Sequence, residues 1–130
     1  MSTWAVLASI RDALAALDGV KSCKVGMERT IKPADYPLVR IVPRTITDGV
    51  PRGLAREIEC LIYFGMPLHE FSDTGGLEAV YEKLLPFEER LLTAARAADG
   101  VASLVHVETL LDEDQVAAFK MMALRVRIVG

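Results

Sequence analysis

Between residues 3 and 17 the apolar side chains Trp4, Leu7, Ile10, Leu14 and Leu17 recur at spacings of three and four. That rhythm puts them on one face of a helix. Ser2 or Thr3 is placed to cap its start, and Gly19 to end it in a left-handed conformation. The period then changes to two. Cys23, Val25 and Met27 alternate with Ser22, Lys24 and Gly26 and predict a short strand. Residues 28–37 contain Lys32-Pro33 and Tyr36-Pro37 and read as a connection. Residues 38–44 predict a second strand, which Pro43 should end at an edge or a bend because it brings no N–H to a ladder.

Residues 45–54 are rich in turn formers and read as a loop or the tip of a long hairpin. A third strand follows over 56–64, with Ile58, Cys60, Ile62 and Phe64 on one face. Its other face begins with Glu57 and Glu59 and continues with Leu61 and Tyr63, so one end of this strand should be covered on both sides. Residues 65–76 read as a second loop. The main helix then carries Leu77, Val80, Tyr81, Leu84, Leu85, Leu91, Leu92 and Ala95 up to Gly100, with Pro86 predicting a kink or a restart. Residues 104–111 and 119–129 read as two strands around the acidic turn Asp112-Glu113-Asp114. The order α-β-β-β-α-β-β predicts a single α+β domain over residues 1–130. Its sheet should be mainly antiparallel, with two helices packed on one face.

Composition adds a surplus. The chain has 130 residues with 52% hydrophobic content, and its mean hydropathy is +0.29. No apolar run approaches the ~20 residues of a membrane helix, and the first charge, Arg11, follows the apolar residues instead of preceding them as in a secretory leader. The expectation is therefore an intracellular chain that buries its surplus against a neighbour. The balance of 15 Lys and Arg against 18 Asp and Glu argues against a dedicated nucleic-acid binder. Residues 1–60 hold nine basic and seven acidic side chains, residues 61–130 six and eleven.

Signals for catalysis are sparse. Neither a glycine-rich phosphate loop nor a GxSxG elbow occurs. Cys23 and Cys60 have no metal-ligand spacing and read as small buried hydrophobes. His69 stands beside Glu70 without the second His of a zinc helix, and His106 lies on a predicted strand face with Leu104, Glu108 and Leu110. Glu88 and Glu89 are consecutive and point about 100° apart on a helix, so they cannot converge. No catalytic residue, cofactor or metal is expected. The informative charges are the arginines. Arg40, Arg44, Arg52 and Arg56 fall on the second strand, first loop and third strand, and Arg125 and Arg127 share a face of the last strand. Either they lie on a solvated sheet face, or they form a basic face that meets an acidic neighbour, such as another copy of the chain.

The strings DYPLVRIVPR, REIECLIYFGMP, GLEAVYEKLLPFEERLLTAAR and the closing MMALRVRIVG follow the N-terminal helix in that order. Taken together they resemble the small tail terminator, or tail completion, proteins of bacteriophages and phage-derived tail devices, over most of the chain. The resemblance implies a non-enzymatic structural subunit, typically of a hexameric ring. Such a ring sits on the last ring of the tail tube, stops its polymerisation and presents a surface to head-proximal connector proteins. Its implied partners are its own copies, the tube protein and those connectors, with no membrane and no specific nucleic acid, in the host cytoplasm during assembly and in the virion tail. Ring contacts would come from sheet edges and exposed apolar positions, with Arg40, Arg44, Arg52, Arg56, Leu61, Tyr63, Arg125 and Arg127 as candidates. Loops 45–54 and 65–76 would face the lumen, the tube or the next ring. Two other classes fit the pattern. One is a different neck or baseplate-associated protein. The other is a small ligand-binding oligomer in which Arg40, Arg44, Arg125 or Arg127 converge on an anion beside His106.

Overall fold

A computed structural model describes residues 2–28, 31–48, 56–67, 76–112 and 119–130. Helix α1 spans Thr3–Ala15, and the Ser2 side chain accepts a hydrogen bond from the Ala5 N–H at 3.1 Å to cap it. Strand β1 (Ser22–Val25) follows, then a connection with a single 3₁₀ turn at Pro33–Asp35, then β2 (Leu38–Asp48) and β3 (Arg56–Pro67). Helix α2 (Gly76–Arg96), β4 (Ser103–Leu111) and β5 (Phe119–Val129) complete the chain. The element order is the α-β-β-β-α-β-β anticipated, and the fold is α+β.

The five strands form one mixed sheet in the order β1-β2-β3-β5-β4. β1 runs parallel to β2; the other three pairings are antiparallel. Ile58, Cys60, Ile62 and Phe64 of β3 and Met122, Leu124, Val126 and Ile128 of β5 turn to the helix-covered face. There they pack with Val6, Leu7, Ile10 and Leu14 of α1 and Val80, Leu84, Leu91, Leu92 and Ala95 of α2. The Phe64 and Phe87 rings stack at 4.3 Å between centroids, tying β3 to the middle of α2.

Five expectations need correction. Trp4 is 59% exposed, while Val6 takes its place in the core. The stripe through Leu7, Ile10 and Leu14 turns Trp4 aside by about 100° from its centre. Pro86 neither ends nor restarts α2. Its ring and Glu82, whose carbonyl loses a partner, are both exposed, while core residues on either side hold the two halves to one sheet face. Third, residues 65–67 belong to β3 instead of a loop, while residues 45–48 belong to β2 and pair with β3, in keeping with the long-hairpin alternative. Fourth, Pro43 lies inside a strand, beside a bulge at Arg44. The Ile41 carbonyl accepts from Gly26 N at 2.7 Å, so by alternation the Pro43 nitrogen faces the same side, beyond the end of β1, where no ladder needs its proton. Last, a bulge at Val107 puts Leu104 and His106 on the helix face and Glu108 and Leu110 on the other. The acidic residues Glu113 and Asp114, His69 and Arg52 lie outside the described residues.

Candidate interaction surface

The sheet face away from the helices is built from cross-strand rows. Reading across, these are Thr47–Glu57–Val129, Thr45–Glu59–Arg127, Val42–Leu61–Arg125–Glu108 and Arg40–Tyr63–Ala123–Leu110. The first rows are charged because Glu57 and Glu59 alternate with core residues on β3, and Arg125 and Arg127 do the same on β5. Register sets Glu59 opposite Arg127, and the ion pairs between the two strands run along the diagonals. Arg127 lies 3.8 Å from Glu57, and Arg125 lies 3.7 Å from Glu59 and 3.2 Å from Glu108. The expected basic face is thus interleaved with carboxylates and presents ion pairs of mixed sign.

Farther along, the same face becomes apolar and enclosed. Tyr36 stacks on Phe119 at 3.9 Å between centroids, and both the Tyr36 ring and Met121 crowd Gly65. A side chain at 65 would stand 2.7 Å from Tyr36 Cε1, which accounts for glycine at that position. Leu61 is 7% exposed and Tyr63 half-buried. As anticipated, β3 is covered on both sides at this end. The expectation that Leu61 offers interface surface is corrected, because the single chain already encloses it.

Arg40 is corrected for the same reason, being 0% exposed. Its guanidinium donates to Ser22 Oγ at 3.1 Å and to the Val39 carbonyl at 2.9 Å. Nη2 lies 3.0 Å from Glu28 Oε1, which also neighbours Lys24 Nζ at 3.3 Å. That contact is electrostatic, without a well-directed hydrogen bond at Glu28 Oε1, and among the described residues Arg40 Nε has no hydrogen-bond partner. The residue pins the connection after β1 to the sheet. Arg44 is exposed on its bulge. Arg56 is exposed too, 3.3 Å from Asp48 across the β2–β3 pairing and 3.4 Å from Thr3 Oγ1. Arg40, Arg56, Arg125 and Arg127 therefore engage separate carboxylates, and His106, bonded through Nε2 to Thr109 Oγ1 at 2.7 Å, lies on the opposite face from Arg125.

A buried cation on the helix face escaped the charge argument altogether. Lys120 is 2% exposed, with its ammonium 2.8 Å from Asp112 Oδ1 and 5.3 Å from the centre of the Tyr81 ring. Its position in the inward series of Met122, Leu124 and Val126 was the available signal. Also missed was the apolar outer edge of β4, where Val105 and Leu110 are 56% and 51% exposed.

Burial pushes the Cys23 thiol up to about 11 and the Cys60 thiol up to about 12, with Glu59 adding to the latter. Both are protonated near neutral pH and poor nucleophiles. Among the described residues no three His, Cys, Asp or Glu side chains converge as metal ligands, and no helix is long and apolar enough to cross a membrane. A recess of about 380 Å³ lies between the end of α1 and α2, floored by Phe64, Met66 and Phe87. On its rim Arg90 donates to the Asp18 carbonyl at 3.3 Å and lies over the Phe87 ring. What the surface offers chemically is complementary charge, exposed apolar side chains and strand edges. No protein-family model matches the chain, and no curated protein matches it.

Proposed function

We propose that this chain is a structural subunit of a phage tail or phage-derived tail particle. In this reading it is a tail terminator-like protein whose copies form a ring on the tube end, halt tube growth and offer a surface to head-proximal components. The observation that carries the reading is the resemblance over most of the chain. Its four strings fall on β2, β3, α2 and β5, elements of a single layer of helices on one sheet. Support also comes from the surface, where Val105, Val107, Leu110 and Leu111 are exposed along β4, a strand edge suited to protein contacts. The ligand-binding alternative needs an arginine cluster, whereas Arg40 and Arg125 are each engaged by glutamates of their own.

The test is electron microscopy of particles assembled with and without the gene, plus labelling of a tagged copy. Overlong, headless tubes in its absence and label at the head-proximal end are expected. Tubes of normal length, or label at the baseplate end, would overturn the terminator assignment.

A further inference from the structure

Spacings of four and three put Lys83, Phe87 and Arg90 on one stripe of α2. Where that stripe passes Asp18, Gly19 and Pro37, the surface opens into the recess of about 380 Å³. Its floor is apolar, made of Phe64 and Met66 from the end of β3 and of Phe87, which stacks on Phe64. Gly19 keeps one wall open. A β-carbon there would already touch Phe87 Cε2 at 3.5 Å, and a φ of +94° disfavours any other residue.

The balance of charge around this floor is positive. Arg90 differs from Arg40, Arg56, Arg125 and Arg127 in having no carboxylate partner among the described residues. Its Nη2 donates to the Asp18 carbonyl at 3.3 Å, and its guanidinium carbon lies 5.0 Å from the centre of the Phe87 ring. That bond occupies a single N–H of the fork and holds it beside the floor. Lys83 lines the same recess, so two cations stand there against one carboxylate, that of Asp18. A cationic ligand would meet like charge, and a wholly polar anion would gain nothing from the floor. What the recess complements is an apolar body carrying a negative end, in a volume within the range of about 300–1,000 Å³ that small ligands occupy.

We propose that this recess binds a small amphipathic carboxylate. Its aromatic or branched aliphatic part lies on Phe64, Met66 and Phe87, and its carboxylate pairs with the Arg90 fork. The site is separate from the sheet face and the sheet edges, and it stands or falls independently of the reading of the chain as a tail subunit.

The experiment titrates the full-length protein with naphthoate and follows backbone amide shifts by NMR, with naphthamide as the uncharged control and far-UV circular dichroism on each variant. Naphthoate should shift the amides of Gly19, Lys83 and Phe87 saturably, with a dissociation constant of about 1 mM or tighter. Naphthamide should bind about tenfold more weakly, for want of the charge-assisted bonds to Arg90. Arg90→Gln, at an exposed position, should weaken naphthoate by about the same factor and leave naphthamide unchanged. Arg96→Gln, exposed farther along the same helix, should alter neither. The naphthamide comparison needs no variant and decides the matter if Arg90→Gln fails to fold. Equal binding of the two probes, undiminished naphthoate binding in Arg90→Gln, shifts confined to other parts of the chain, or no saturation by about 10 mM would each overturn the proposal. So would tighter binding of an acetylated peptide with Phe between two aspartates, which would make the recess an anchor point for a partner's chain.

Discussion

Lys120 sets its ammonium nitrogen 2.8 Å from the Asp112 carboxylate at the end of β4, on the face of β5 covered by α2. The same nitrogen donates to the Asp112 carbonyl at 2.6 Å, and Asp112 Oδ2 accepts from Met121 N at 3.0 Å. One aspartate thus neutralises an enclosed cation and joins the facing ends of two strands.

Removing the anion should hurt more than removing the cation, because an enclosed ammonium that loses its 2.8 Å carboxylate contact keeps the desolvation cost which that contact offset. Asp112→Ala is expected to lower unfolding free energy by about 2–4 kcal/mol. Lys120→Met, which keeps the stem and deletes the charge, should cost about 1 kcal/mol or less. Urea titrations of both variants check the order; a milder Asp112→Ala would contradict it.

Arg40 and Glu28 allow a parallel comparison whose readout separates folding from assembly. Glu28→Ala leaves Arg40 buried beside Ser22 and the Val39 carbonyl with no carboxylate, for a loss of about 2–3 kcal/mol. Arg40→Leu should cost less. Since Arg40 has no exposed surface, the folded fraction of either variant should keep whatever mass the wild-type protein shows in light scattering.

Gly65→Ala places a methyl group against Met121 and the stacked Tyr36–Phe119 pair. A loss of about 1–3 kcal/mol is expected by thermal melting. Combining it with Met121→Ala should recover part of that loss, because the sulfur is the nearest atom and sits on a flexible chain.

The cysteines set an alkaline limit. Each thiol ionises near 9.0 when unfolded and near 11 for Cys23 and 12 for Cys60 when folded. Above pH 9 the unfolded chain has released protons that the folded chain retains, so stability falls as pH rises. The slope should approach about 1.4 kcal/mol per pH unit for each thiol until its folded value is reached. Equilibrium melts at pH 8, 9 and 10, compared with a Cys23→Ala, Cys60→Ala variant, isolate this contribution. At pH 8 both thiols should react with iodoacetamide far more slowly than in urea.

Much of this fold was legible because it rests on period. The alternation over residues 119–129 specifies a strand and its inner face, and the spacing of Leu7, Ile10 and Leu14 specifies the buried stripe of α1. Errors gathered where the period slips by one residue. The bulge at Val107 moved Glu108 and Leu110 to the face opposite His106, and the one at Arg44 let β2 run on to Asp48. A bulge leaves no mark in hydropathy, because it is fixed by the partner strand's register.

The sequence by itself determined the element order, the inward sides of β3 and β5, the absence of recognisable catalytic motifs and the apolar surplus, all of which are local patterns or sums over the chain. The tertiary structure alone decided which side chains remain as surface. It buried Arg40 under the connection after β1, paired Arg125 and Arg127 with glutamates of neighbouring strands, enclosed Leu61 and left Val105 and Leu110 on an outer edge. The reason is that exposure and pairing depend on what lies across the sheet, and strand order brings residues 40 and 28, or 125 and 59, together without regard to their distance along the chain.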